Sequence, residues 1–114
     1  MANTEIRNAL QYVRKAENAV SDALDNDKLS DSDEKLLVKA SRSLDDLDNL
    51  LVSMDISEDI GDLKKALKKL QGINTQVQEE VSEMKAVAQT VGDVADTVGA
   101  LVDAFQILST AGLI

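Results

Sequence analysis

The chain reads as an all-α protein, and three features predict that class. It has no proline, its only aromatic residues are Tyr12 and Phe105, and its apolar side chains recur at alternating steps of three and four. A composition rich in Ala, Leu, Val, Asp and Lys suits helix better than sheet, and the three-four spacing gives each helix one apolar face. At 114 residues the expected unit is a single helical domain, 1–114. The expected architecture is an antiparallel helical bundle with coiled-coil-like packing. It consists of a helical hairpin over 1–55 and one long amphipathic third helix over 57–110.

The first helix is expected to start at Asn3 or Thr4 as N-cap and to end near Asp25. Ile6, Ala9, Val13, Ala16, Val20 and Ala23 form its stripe, widened by Leu10 and Leu24. The following "DNDKLSDSDE" reads as a loop, with Asp31 or Ser32 capping the second helix. That helix carries Leu37, Ala40, Leu44, Leu47, Leu51 and Met54 at the same spacing. A turn follows at "MDISEDIG", where Asp55 or Ser57 has the chemistry of a cap. If the turn is centred between Asp55 and Ile56, then Asp45, Asp46 and Asp48 face Lys64, Lys65 and Lys68 in an interhelical charge ladder.

From Ile60 to Phe105 the seam runs through Ile60, Leu63, Leu67, Leu70, Asn74, Val77, Val81, Met84, Ala88, Val91, Ala95, Val98, Val102 and Phe105. Asn74 is its one polar member, a residue type that sets register and oligomer state when it occupies a seam position. Gly72 is the expected weak point, and a four-helix bundle broken near Gly72 is the alternative architecture. The agreement of the heptad phase on both sides of Gly72 favours a continuous helix.

The last third of the chain contains a tandem unit. Thr90-Val91-Gly92 recurs as Thr97-Val98-Gly99 within "TVGDVADTVGALVDAF". In heptad terms Asp93, Asp96 and Asp103 mark one outward stripe, while Val87, Val94, Leu101 and Leu108 add a second apolar row beside the seam. A helix from 57 to 109 would be roughly 80 Å long and would outreach a hairpin of roughly 33 Å. Residues 86–109 would then project beyond their own chain's cover. Leaving their larger side chains in water forgoes about 1.5–3 kcal/mol each, against a domain stability of roughly 5–15 kcal/mol. The expected interaction face is Val91, Gly92, Val94, Val98, Gly99, Leu101, Val102, Phe105 and Leu108, with the glycines permitting close approach of a helix.

The chemistry excluded is extensive. The absence of Cys and His removes disulfides, thiolate nucleophiles and the usual acid/base and metal-ligating groups. An EF-hand starting at Asp25 would need oxygen ligands where Leu29 and Leu36 stand and Gly where Ser30 stands. No phosphate-binding glycine loop or nucleophile elbow is present. No catalytic residue, cofactor or metal is therefore expected, and an enzyme is not. The net charge of -9 argues against nucleic acid as a ligand. It is concentrated in residues 25–62, with twelve acidic against four basic groups, whereas residues 63–85 carry five Lys against three Glu.

The expected function is a non-enzymatic helical interaction or assembly module. It would bury the face of residues 86–109 against its own bundle, a second copy or another helical protein. One alternative is a membrane-active or exported helical component that exposes this face to lipid. Another is an acidic inhibitor or immunity-type protein using residues 25–62 against a basic target. Without a basic and apolar leader pattern at its start, the chain is expected to be cytoplasmic as synthesised, or exported by a non-Sec route.

Overall fold

The computed structural model describes residues 2–27 and 29–114, with Ala2 and Asn3 described by their backbone only. Four helices follow one another: α1 (Ala2–Leu24), α2 (Asp31–Ile56), α3 (Ile60–Ala88) and α4 (Gly92–Thr110). No strand occurs among the described residues. Connections of three residues at 57–59 and 89–91 turn consecutive helices antiparallel. α1 packs on α2 and α4, and α3 packs on the same two helices, so α1 and α3 occupy opposite corners of an up-down-up-down bundle. The molecule is 46 × 19 × 19 Å.

This corrects the expected count of three helices, the long third helix over 57–110 and the continuous coiled-coil seam. It also moves the break of the four-helix alternative. α3 runs unbroken through Gly72, and the chain folds back at Gln89, Thr90 and Val91, inside the first copy of the tandem unit. Thr90, Val91 and Gly92 are three successive weak helix formers. The Gln89 N–H donates to Ala86 O and the N–H groups of Thr90 and Val91 to Val87 O, while the Thr90 hydroxyl also donates to Val87 O. These bonds satisfy two of the carbonyls that the end of α3 leaves open. Val91 is extended at φ -127° and begins α4 without a side-chain cap, and Asp93 sits favourably at the positive end of the new helix.

The other ends have local causes. Ser30, one residue before the expected caps, accepts from the Asp33 N–H. Asp59 caps α3 in place of Asp55 or Ser57, its Oδ1 accepting from Gly61 and Asp62. At the far end Leu113 N–H bonds to Leu108 O and Gly112 N–H to Ser109 O, with Gly112 at φ 77°. This six-to-one closure needs a left-handed residue, which glycine adopts without a side-chain clash. Thr4 lies in the first turn of α1, which already begins at Ala2. The side chain of Asn3 and all of Lys28, in the expected loop, lie outside the described residues.

The stripes expected on the first two helices are the core. Ile6, Ala9, Leu10, Val13, Ala16, Val20 and Ala23 of α1 are buried, as are Leu37, Ala40, Leu44, Leu47, Leu51 and Met54 of α2. The most extensive contact is between α1 and α4. Ala9, Ala16, Ala19 and Ala23 of α1, with Ala100 and Ala104 of α4, are buried side chains short enough to let two helix backbones approach closely.

The charge ladder between α2 and the lysines of α3 does not form. Asp48 meets Arg14 Nε of α1 at 3.4 Å, and Asp55 meets Arg7 Nε at 3.1 Å. The turn centres on Glu58, which shifts the α2–α3 register from the expected one. Ile60, the expected start of the seam, is 71% exposed.

Gly72 is exposed, and a methyl group placed on its Cα would meet nothing within 4 Å. Gly72→Ala should therefore raise the unfolding free energy in dilute solution by about 0.5–1 kcal/mol, as read from chemical denaturation.

Candidate interaction surface

The two apolar rows of the last helix compete for the interior, and the second one takes it. Val94, Thr97, Leu101, Ala104 and Leu108 are fully buried, with Ala100 and Phe105 nearly so. The helix is thus rotated from the expected seam of Val91, Ala95, Val98, Val102 and Phe105. Thr97 fits the interior because its hydroxyl donates to Asp93 O one turn earlier at 3.2 Å.

The expected interaction face is consequently divided. Val91, Val94, Leu101, Phe105 and Leu108 are buried in the chain's own bundle, and the projection of residues 86–109 beyond their own cover does not occur. Val98 is half-buried, while Gly92, Gly99 and Val102 face solvent together with Ala95. Among the described residues, nothing outside the local backbone of α4 lies within 4 Å of where a Cβ would stand on Gly92 or Gly99, so neither marks a close approach of another described helix. Asn74 is half-buried inside α3, and its Oδ1 accepts from Gln78 Nε2 at 3.3 Å, one turn on in the same helix.

What remains outward is a shallow groove between α3 and α4. Gln78, Val81, Ser82 and Lys85 form one wall and Val102 and Phe105 the other, enclosing about 290 Å³. Val102 is 49% exposed at its rim. Asp96 and Asp103 stand exposed on α4, on the edge of its outward face farther from the groove. This side of the bundle therefore offers apolar contact, with Lys85 on the α3 wall of the groove and the carboxylates along the far edge of the outward α4 row.

A second group of residues escapes the periodicity. Glu80 is 1% exposed, between α2 and α3. Its Oε2 accepts from the Ser43 hydroxyl at 3.1 Å, and Ser43 in turn accepts from Gln76 Nε2 at 3.1 Å. Its Oε1 is buried without a partner, as are Glu5 Oε2 and Glu17 Oε1. Burial pushes the Glu80 carboxyl above its usual range, with help from Glu83 and Glu79, against the opposing Ser43 hydrogen bond and Lys39 charge. Glu17 is raised to about 7, first by burial, then by a shared hydrogen bond with Asp48 and the charges of Asp48 and Asp45, with Arg14 opposing. Glu80 was missed because in the heptad it reads as a charged flank. The one available signal is its place three residues after Val77 and four before Met84, on the apolar side of α3.

No helix among the described residues is long and apolar enough to cross a membrane. Comparison with protein-family models, with curated proteins and with solved structures finds no match for the chain.

Two outcomes separate the buried half of α4 from its outer half. Leu101→Ala should destabilise the fold by about 2–5 kcal/mol, whereas the adjacent Val102→Ala should change it by under about 1 kcal/mol, both by urea denaturation. The carboxyls set a pH dependence. Glu17 holds its proton more tightly folded, near 7, than its unperturbed 4.5, so the folded state binds more protons between those values and stability falls as pH rises through them. Glu17→Gln should flatten that fall, and because the Glu80 carboxyl is also raised, Glu80→Gln should likewise raise the melting temperature above neutral pH, each with little effect in acid.

Proposed function

We propose that this chain is a non-enzymatic helical interaction module whose outer α4 face receives an amphipathic helix from another protein. The observation that carries this reading is Val102. It stands 49% exposed beside half-buried Val98, at the rim of the groove that Val81 and Phe105 line. A single exposed valine is ordinary, but one adjoining an apolar groove is the start of a docking site. The exposed Gly92, Ala95 and Gly99 continue the row with side chains short enough for a helix backbone to come close.

The flanking charges define the partner. Asp96 and Asp103 favour a helix whose apolar row is bordered by Lys or Arg. A net charge of -9 speeds the approach of a basic partner and opposes a phosphate backbone.

A photoreactive benzoyl-phenylalanine at position 102 tests the reading in cells that make the protein. Adducts of discrete mass are expected from position 102 but not from Asn18, exposed on α1. Gly99→Leu, which fills the approach, should suppress them. Equal labelling from both positions, or none from 102, would remove the basis for this surface.

A further inference from the structure

The solvent side of α3 has a charge order that its own bundle does not use. Lys64 and Lys68 lie one turn apart in its first half, and Glu79 and Glu83 one turn apart in its second. All four are exposed, and none enters an ion pair among the described residues. At about 100° per residue they share one arc, opposite the buried row of Leu70, Val77, Val81 and Met84.

These four are symmetric about a point between Ile73 and Asn74, half a residue from the middle of α3, while Lys65, at the edge of the same arc, falls opposite Ser82. Lys64 lies as far before that point as Glu83 lies after it, and Lys68 matches Glu79 in the same way. The innermost matched pair is Gly72 and Thr75, both exposed. We infer that a second copy of this chain docks antiparallel on the outward face of α3, about a two-fold axis through this midpoint. The axis sets Lys64 of each chain against Glu83 of the other and Lys68 against Glu79, giving four pairs from two kinds of contact. A parallel pairing would place like charges together, so the sequence order itself selects the antiparallel one.

Gly72 has a place in this arrangement that it lacks in the single chain. Nothing in the bundle comes within 4 Å of where its Cβ would stand, so intramolecular packing has no need of a glycine in the middle of a 29-residue helix. In the pair Gly72 sits at the crossing, where two helix backbones are closest, opposite the partner copy's Thr75. Exposed ion pairs are individually weak and screened by salt. The dimer is therefore a low-affinity, salt-sensitive one, on a face of α3 that borders the α3–α4 groove at Ser82.

Sedimentation equilibrium of the full chain, run at low salt into the high-micromolar range, tests this. A reversible dimer is expected that dissociates in high salt. The paired reversals Lys64→Glu with Lys68→Glu, and Glu79→Lys with Glu83→Lys, should each weaken it roughly tenfold or more. An equimolar mixture of the two variants should associate again, as should one chain carrying all four changes. Gly72→Leu should weaken the dimer while circular dichroism shows full helicity. A wild-type chain that stays monomeric throughout, a dimer indifferent to the reversals, or reversed variants that fail to associate on mixing would each overturn the inference. Because Val102 stands on α4 and enters none of the four pairs, Val102→Asp should leave the dimer intact; its loss in that variant would move self-association to the groove.

Discussion

The whole molecule turns on the need to cover the apolar breadth of residues 86–109. Nearly every position there that is not glycine or aspartate is apolar or small, and a straight continuation of α3 would leave this surface in water. Folding back at 89–91 interrupts a few helical hydrogen bonds, each of modest net worth. In return Val94, Leu101, Leu108 and Phe105 enter the core and α4 gains its contact with α1. Hydrophobic burial outweighs helix continuity because the turn at Thr90, Val91 and Gly92 is formed by residues with little preference for helix in the first place.

That choice sets the interior. Alanines on α1 and α4 draw those helices together, whereas leucines fill the α2 side. The α2–α3 contact admits Ser43, Gln76 and the carboxyl of Glu80. A buried carboxyl with one unpartnered oxygen opposes stability when ionised and is benign when protonated. Glu17, pressed against Asp48 between α1 and α2, has the same character. The bundle thus carries two acid-favoured contacts on either side of α2, in a protein whose overall charge also favours compaction as carboxylates are neutralised.

The surface left by this packing is uneven in a useful way. α4 keeps one apolar row outside, next to the groove with α3. The outer face of α3 keeps a block of lysines followed by a block of glutamates, while Asp48 and Asp55 of α2 pair with Arg14 and Arg7 on the opposite neighbour. The two faces differ in character, the first apolar with charge at its edges and the second ordered by charge.

All-α class, the two stripes of the hairpin and the absence of a break at Gly72 were legible in the residues themselves. Heptad spacing is a local property, and side chains three and four apart share a helix face whatever the helix later packs on. The reversal at 89–91 was not legible, because Val and Ala occupy two adjacent rows and the seam remains in phase across the turn. Nor was the division of the expected interaction face, in which Val94 and Leu101 go inward while Val98 and Val102 stay at the surface. The sequence by itself determined which residues are apolar and on which helical arcs they lie. The tertiary structure alone decided which of two nearly equal arcs is buried and how Glu80 is enclosed, since both depend on how much neighbouring surface α1 and α2 bring to each arc, a quantity that no single helix contains.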